Sequence, residues 1–197
     1  MQELQTESSR KLVLTGVGGM LALALGAAVI SSTAAASDTD AVMLPTTQST
    51  VTDAVAAAAA AAAVEAARVA ALQAQIEAVG SLAHEQVGDS YRMGAWGPDA
   101  FDCSGFTMWV YQNTLGVSLP HNTHAQWNAI PDTWHAGEKD PQQGDLVFFF
   151  DGADHVGVYV GDGMMVHAEN SGTGVVVSPI YEGYWADNLT GFGRIIR

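Results

Sequence analysis

Cysteine is almost absent from this sequence, because Cys103 is the only cysteine among 197 residues. A single thiol cannot form an internal disulfide, so the fold cannot depend on one. A zinc site built from Cys103, His155 and His167 is disfavoured, since the chain lacks the closely spaced Cys-x-x-Cys or His-x-x-x-His pairs of common zinc sites. We therefore expect Cys103 either to pack as a small apolar residue or to act as a nucleophile.

Basic residues are also scarce. The chain has 7 lysines and arginines against 21 acidic residues, and its formal net charge is −14. A surface of this sign repels nucleic-acid phosphates, which excludes a nucleic-acid-binding protein. The excess of acid is typical of a soluble protein, and a fit to a partly cationic substrate is the second interpretation.

Charge is missing altogether from an apolar run over residues 12–30, which follows two basic residues. Small residues come next, and Ala34-Ala35-Ala36 fits an A-x-A cleavage site. These features predict an export signal over residues 1–36. The run is also just long enough to span a bilayer, so an uncleaved membrane anchor is the alternative. Both interpretations place the rest of the chain outside the cytoplasm.

Residues 37–52 are polar, rich in threonine and interrupted by Pro45, which predicts a flexible linker. Over residues 53–79, glycine and proline are absent and alanine occupies most positions. Because alanine is the best helix former, these residues predict a long helix over 53–80, with Gly80 as its stop.

Only the second half of this helix has an apolar stripe, formed by Val69, Leu72, Ile76 and Val79. Spacings of three and four residues place them on one face. The stripe is too short to establish a coiled coil. The helix is expected to pack on the following domain or act as a spacer, or else to mediate self-association or docking. Two charged residues interrupt it, which argues against a second membrane span.

Residues 81–197 have the composition of one compact domain. Helical patterns come first, over 81–87, over 103–115 and from about Asn122. Short segments rich in β-branched and aromatic residues follow, separated by glycine and aspartate turns: DLVFFF, HVGVYVG, MMVHAE, GVVVSPI and FGRIIR. Helices followed by a run of strands predict an α+β fold with an antiparallel sheet.

Cys103 lies in the first turn of the second predicted helix, behind Asp102 as N-cap. A helix N-terminus favours the thiolate form that a nucleophile needs. Gly105 in the same turn lowers helix stability by up to ~1 kcal/mol relative to alanine. Its presence indicates that backbone or substrate comes very close at this point.

The candidate bases for a thiol nucleophile are the six histidines. His155 opens one predicted strand, and His167 lies in the next, across a turn. With two imidazoles on neighbouring strands, one imidazole can face the thiol while the second orients the first. The remaining histidines are expected on the surface or in stretches that no strand fixes: His84, His121, His124 and His135. The alternative is that both strand histidines are core residues.

The strongest pattern is a set of short motifs spread over residues 81–197. In chain order they are Gly88-Asp89-Ser90-Tyr91, Asp102-Cys103-Ser104-Gly105, Gly116-Val117, Leu119-Pro120, Gln126, Gly144-Asp145-Leu146-Val147-Phe148-Phe149, His155-Val156-Gly157-Val158-Tyr159-Val160-Gly161, His167-Ala168 and Arg194. In type and order these motifs resemble the NlpC family, bacterial cell-wall cysteine peptidases with a minimal papain-like fold.

The resemblance implies roles for six residues. Cys103 would be the nucleophile, His155 the base and His167 the third polar residue. Tyr91 and the Cys103 amide would contact the oxyanion, and the substrate groove would be lined by Asp102 and Ser104. No metal and no cofactor is expected.

Two segments depart from the family pattern. Where the family has an aromatic residue and a Gly-Gly pair after the tyrosine, this chain reads Arg92-Met93-Gly94-Ala95-Trp96-Gly97. Where it tends to have Arg-Thr-Ser after Leu-Pro, this chain has His121-Asn122-Thr123. Both segments adjoin the expected substrate cleft, so they affect specificity rather than the reaction class.

The resemblance implies an exported peptidoglycan hydrolase that cleaves stem peptides, with the γ-D-glutamyl–diaminopimelate bond as the expected target. The alternatives are an N-acetylmuramoyl-L-alanine amidase or an acyltransferase on the same triad, and a non-catalytic wall-binding protein. A further hypothesis is that the alanine-rich helix covers the cleft and keeps the enzyme latent.

Overall fold

The alanine-rich segment forms a single helix, α1, which spans Thr47–Glu85 in the computed structural model. The structure describes residues 47–197, so the export signal predicted over 1–36 lies outside the described residues, as does the start of the predicted linker. The helix is longer than predicted at both ends. Its first turns occupy the last residues of the segment expected to be a flexible linker.

Gly80 does not end α1, and the separate helix predicted over 81–87 is wrong. A glycine weakens a helix by about 1 kcal/mol relative to alanine. Burial on both sides of it outweighs this loss, because Val79 and Ala83 are fully buried. A Cβ at this position would lie 2.5 Å from Gln143 Nε2, at the flexible end of that side chain.

The last turns of α1 are part of the core of the following domain. Leu72 and Ile76 of the predicted stripe pack against the same buried cluster that contains Val79. A domain boundary at residue 81, as predicted, would divide this cluster. Val69, the first residue of the stripe, is instead 56% exposed.

The N-terminal half of α1 is exposed throughout residues 51–71. By length and composition alone, the stretch Val51–Glu85 is apolar enough to cross a membrane. Its last turns nevertheless pack on protein, as described above. Self-association or partner docking through α1 stays a prediction, and the buried part of the stripe is not available for it.

Two short strands and two helices connect α1 to the main sheet. They are β1 (Ser90–Tyr91), β2 (Ala100–Phe101), α2 (Cys103–Leu115) and α3 (Thr123–Ala129). The two strands pair in parallel. Side-chain caps fix the start of each helix, since Asp102 accepts from the Gly105 N–H and Asn122 from the Ala125 N–H. Both helices begin where the sequence predicts, and Gly116 caps α2 in the left-handed conformation.

The remaining elements form a six-stranded sheet and a one-turn helix. They are β3 (Asp132–His135), β4 (Leu146–Phe149), β5 (His155–Gly161), β6 (Met164–Asn170), β7 (Gly174–Pro179), α4 (Gly183–Ala186) and β8 (Leu189–Arg194). The strand order is β3-β8-β4-β5-β6-β7, and every neighbouring pair is antiparallel. The predicted α+β class with an antiparallel sheet is confirmed, although neither β3 nor α4 was predicted.

The sheet is buried on both faces, as the residues of β4 illustrate. Leu146 and Phe148 join one hydrophobic cluster with α1 and α2, whereas Val147 and Phe149 join a second cluster. Successive residues of a strand point to opposite faces, so burial of both faces requires an unbroken apolar run. The first cluster also packs α2 against β5 and β6, which carry His155 and His167.

A buried ion pair joins the start of β4 to the end of β8. Asp145 is 2% exposed and accepts two hydrogen bonds from Arg194, at 2.8 Å from Nε and 2.7 Å from Nη2. It also accepts from the Gln142 N–H at 2.7 Å. The bidentate geometry explains why Gly144-Asp145 and Arg194, far apart in sequence, belong to one set of motifs.

Removing one partner of this buried pair should strongly destabilise the fold. We expect Asp145→Ala to lower the free energy of unfolding by about 3–5 kcal/mol, because it leaves the Arg194 charge without its partner. Urea unfolding measures this change. The matched control is Lys139→Ala, which breaks the exposed Lys139–Asp132 pair and should change stability little. Similar losses in the two variants would contradict the argument.

Candidate active site

Cys103 is the first residue of α2 and is partly buried. Asp102 precedes it in extended conformation and caps the helix through its side chain. The prediction that the thiol lies in the first helical turn is confirmed. Its neighbour Gly105 is packed against backbone, since a Cβ there would lie 2.1 Å from the Ala95 carbonyl oxygen. The close approach inferred from this glycine is therefore made by protein and not by substrate.

The thiol is protonated at neutral pH in the resting site. Burial raises the pKa of Cys103 to about 11, and the nearby Asp102 carboxylate adds to this effect. Backbone hydrogen bonds from Ser104, Val156 and Cys103 itself act in the opposite direction. Burial thus outweighs the helix N-terminus, which the sequence analysis expected to favour the thiolate.

His155 and His167 form a hydrogen-bonded pair on adjacent strands. The distance from His155 Nε2 to His167 Nδ1 is 2.8 Å, and the ring planes are perpendicular, at 89°. The other ring nitrogen of His167, Nε2, lies 3.0 Å from Ser178 Oγ on β7. The hydrogen bonds thus run from His155 through His167 to Ser178.

Both imidazoles are neutral near pH 7. Burial lowers the pKa of His155 to about 4. Burial, together with the neighbouring His155, lowers the pKa of His167 to about 3. When His155 Nε2–H donates to His167 Nδ1, the Nδ1 atom of His155 is left without a proton and can accept one.

Trp185 of α4 covers both imidazoles. Its ring stacks on His155 at 4.9 Å and 30° and meets His167 edge-on at 4.7 Å and 87°. These contacts cover part of both rings and restrict their rotation. No sequence pattern pointed to Trp185, because a helix of four residues leaves no detectable periodicity.

The Asp102 carboxylate is hydrogen-bonded to three segments of the chain: the loop at Gly94, the first turn of α2, and His121. Its oxygens lie 2.8 Å from the Gly94 N–H, 2.7 Å from the Gly105 N–H and 3.0 Å from the Ser104 hydroxyl. His121 Nε2 lies 3.0 Å from both oxygens. His121 was not expected to be the base, but its segment was expected beside the substrate cleft, where the structure places it. Its position after Leu-Pro, where the family tends to have arginine, was the available signal.

One cleft of about 310 Å³ brings together five of the six residues named from the sequence. Its lining comprises Tyr91, Met93, Asp102, Cys103, Ser104, His121, Asn122, Thr123, Asp154 and His155. The sixth, His167, is fully buried behind His155. None of these lining residues belongs to α1, so the described helix does not cover the cleft as the latency hypothesis supposed.

Among residues 47–197, no group of three or more His, Cys, Asp and Glu side chains is arranged to hold a metal ion. A larger hollow of about 660 Å³ lies elsewhere on the surface, beside Phe150 and Asn188. It contains neither the thiol nor the paired imidazoles. The Cys103 thiol and His155 therefore both line the smaller cleft.

Comparison with known sequences decides the family, because residues 88–194 match the NlpC/P60 family. The chain belongs to the NlpC/P60 family. The resemblance inferred from the motifs is thereby confirmed. The cleft, both imidazoles, Ser178 and Trp185 all lie inside the matched segment, whereas α1 precedes it.

Curated relatives match this NlpC/P60 segment. The "Probable endopeptidase p60" of Listeria seeligeri is 41% identical over 115 residues, which cover 57% of this chain and 21% of the relative. A probable endopeptidase of Corynebacterium glutamicum is 43% identical over 108 residues, which cover 55% of this chain and 50% of the relative. The chain thus matches from about a fifth to a half of the length of these relatives.

Solved NlpC/P60 structures share the fold. The peptidoglycan hydrolase RipB from Mycobacterium tuberculosis aligns with a TM-score of 0.55 at 30% identity, over 65% of this chain and 68% of that chain. The NlpC/p60 domain of the peptidoglycan hydrolase SagA aligns with a TM-score of 0.54 at 26% identity, over 61% of this chain and 98% of that chain.

Close packing at Gly105 should make this position intolerant of even one methyl group. We expect Gly105→Ala to lower the free energy of unfolding by about 1–3 kcal/mol, because the added Cβ meets the backbone of Ala95, which cannot rotate away. The matched control is Gly80→Ala in α1, whose Cβ would meet only the flexible end of Gln143. That change should be neutral or slightly stabilising. Urea unfolding of both variants tests the difference, and a stable Gly105→Ala protein would contradict it.

The buried imidazoles should make stability depend on pH. Each has an ordinary pKa of 6.5 and a lower one in the fold, so between the two values the unfolded chain binds more protons. The free energy of unfolding should therefore fall as the pH drops from about 6.5 to 4. Urea unfolding across this range should give a shallower dependence for His167→Gln. His84→Gln, at an exposed position on α1, is the control and should keep the full dependence. An unchanged slope in His167→Gln would contradict the argument.

Proposed function

We propose that this protein is an exported peptidoglycan hydrolase, a cysteine endopeptidase that cleaves stem peptides of the bacterial cell wall. The observation that carries the proposal is the pairing of His155 with His167 at 2.8 Å, with His155 lining the same cleft as Cys103. Membership of the NlpC/P60 family supports it. So do the relatives named as endopeptidases and the neighbours named as peptidoglycan hydrolases.

Acylation begins with proton transfer from the Cys103 thiol to His155 Nδ1. Because the thiol is protonated at rest, the transfer accompanies attack of sulfur on the peptide carbonyl. His155 then carries a proton on both nitrogens, and its Nε2–H donates to His167 Nδ1. Ser178 accepts from His167 Nε2–H and so keeps the Nδ1 lone pair directed at His155.

Charge on the substrate oxygen is stabilised by hydrogen bonds from the Cys103 amide and the Tyr91 hydroxyl. His155 gives its proton to the leaving amine, and the acyl group remains on sulfur as a thioester. Water then attacks the thioester with His155 as base, which releases the acid product and restores the thiol. Trp185 keeps bulk water away from the imidazoles during these steps.

The bond cleaved is proposed to be the one between the γ-carboxyl of D-glutamate and meso-diaminopimelate. Asp102 and Ser104 line the substrate groove in this proposal. Their burial and mutual hydrogen bond mean that Asp102 also serves to fix the cleft wall. The export signal over 1–36 accords with a substrate outside the cytoplasm, and it too is part of the proposal.

The decisive experiment is digestion of peptidoglycan of defined muropeptide composition, read by mass spectrometry. The chain lacking residues 1–36 retains all of α1 and is therefore preferable to one starting at residue 81, which would remove core residues. We expect fragments with a free D-glutamate carboxyl and a free diaminopimelate amine. Cys103→Ala should reduce their formation by roughly 1000-fold or more.

The control is a thermal unfolding curve of Cys103→Ala, which should match the unsubstituted protein because the thiol is small and only partly buried. Retained hydrolysis in this variant would contradict the thiol mechanism. Release of an L-alanine amine instead would identify an amidase, and transfer of the acyl group to an added amine would identify an acyltransferase. No cleavage of any wall type would favour a non-catalytic wall-binding protein.

A further inference from the structure

A second groove, of about 190 Å³, lies between α2 and the segment over residues 92–97. Its lining comprises Trp96, Met108, Trp109, Gln112, Asn113 and Ser118. None of these residues lines the cleft around Cys103. The segment 92–97 borders both sites, because Met93 lines the cleft and Trp96 lines the groove.

Trp96 presents an aromatic surface from a fixed backbone. Its side chain is 58% exposed, yet its backbone forms a β-bridge with Phe101. The residues on either side are held as well. The Ala95 carbonyl accepts from the Asp102 N–H at 2.8 Å, and the Gly97 N–H donates to the Ala100 carbonyl at 2.9 Å. A large aromatic side chain that is more than half exposed beside a groove favours ligand binding.

The Trp109 ring, which lines the groove together with Trp96, is held in place by its neighbours. Trp109 packs edge-on against Phe101, with 5.5 Å between ring centroids. The backbone at Gly97 lies directly on the Trp109 ring, because a Cβ there would be 2.7 Å from Trp109 Cδ1. The shape of the groove is therefore set before any ligand arrives, which lowers the entropy lost on binding.

The chemistry of the lining suits an uncharged, hydroxyl-rich ligand. Gln112, Asn113 and Ser118 supply neutral hydrogen-bond donors and acceptors beside the two indole rings. No acidic or basic side chain is among the lining residues, in contrast to the cleft, which holds Asp102 and His155. Sugar rings offer apolar C–H faces that stack on an indole, together with hydroxyl and acetamido groups that bind amides.

The distance between the two sites fits one substrate molecule. An α-helix rises 1.5 Å per residue, so Trp109 to Asn113 lie about 9–15 Å along α2 from Cys103. In a wall stem peptide, the D-glutamate, L-alanine and lactyl units separate the proposed scissile bond from the sugar. Extended chain spans about 3.3 Å per unit, so these three units cover about 10 Å.

We propose that this groove binds neutral N-acetylated sugar residues of the glycan strand whose stem peptide occupies the cleft. The proposal rests on the proposed function for its substrate and adds a saccharide subsite to it. Trp96 supplies the stacking surface, and Gln112 and Asn113 bind the polar groups of the sugar. The enzyme thereby prefers stem peptides that are still attached to glycan.

The first test compares two substrates: a stem peptide linked to its disaccharide, and the same peptide free. We expect Trp96→Ala to lower kcat/KM on the disaccharide-linked peptide about tenfold, mainly through KM, and to change hydrolysis of the free peptide less than twofold. Trp96→Phe retains a ring and should recover part of the loss. Tyr181→Ala removes another exposed aromatic side chain, 54% exposed, and should leave kcat/KM on both substrates unchanged.

Direct binding is tested separately by isothermal titration calorimetry of the protein with a β-1,4-linked trimer of N-acetylglucosamine. Saturable binding that is lost in Trp96→Ala supports the proposal that the groove binds sugar. Three results would each overturn the proposal. They are an equal loss of kcat/KM on both substrates in Trp96→Ala, no preference of the unsubstituted protein for the linked peptide, and no binding of the trimer. If neither peptide is cleaved, the proposed function fails, and the titration still decides whether the groove binds sugar.

Discussion

The geometry of the cleft depends above all on the Asp102 carboxylate. It caps α2 through Gly105, holds the segment 92–97 through Gly94 and fixes His121, so one side chain joins three parts of the cleft wall. The same carboxylate stands next to Cys103 and disfavours its ionisation. The Asp102 carboxylate thus both holds the cleft wall together and favours the protonated form of the Cys103 thiol.

Burial favours the neutral forms of the Cys103 thiol and of both imidazoles. Trp185 covers the two imidazoles. A thiolate–imidazolium pair is costly in such surroundings unless a substrate supplies compensating dipoles. The hydrogen bonds from His155 through His167 to Ser178 orient both imidazole rings without adding charge.

Sequence predicted the elements with strong local signals and missed those fixed by distant contacts. α2 and the main strands have caps, periodicity or apolar runs, and their positions were predicted well. The end of α1 was not predicted well, because burial of Val79 and Ala83 outweighs the low helix propensity of Gly80. Ser178 and Trp185 reach the site only through tertiary packing, and no local pattern identifies them. For His121, the position after Leu119-Pro120 was a local signal.

Continuity of α1 from Thr47 into the core has a mechanical consequence. Its exposed part, residues 51–71, is roughly 30 Å long at 1.5 Å per residue. No loop interrupts the helix between this exposed part and the folded domain, and Val79 and Ala83 are buried in the same core cluster as residues of α2. A pull on Thr47 would therefore be transmitted as torque to the core, and the orientation of the cleft would follow the direction of the helix.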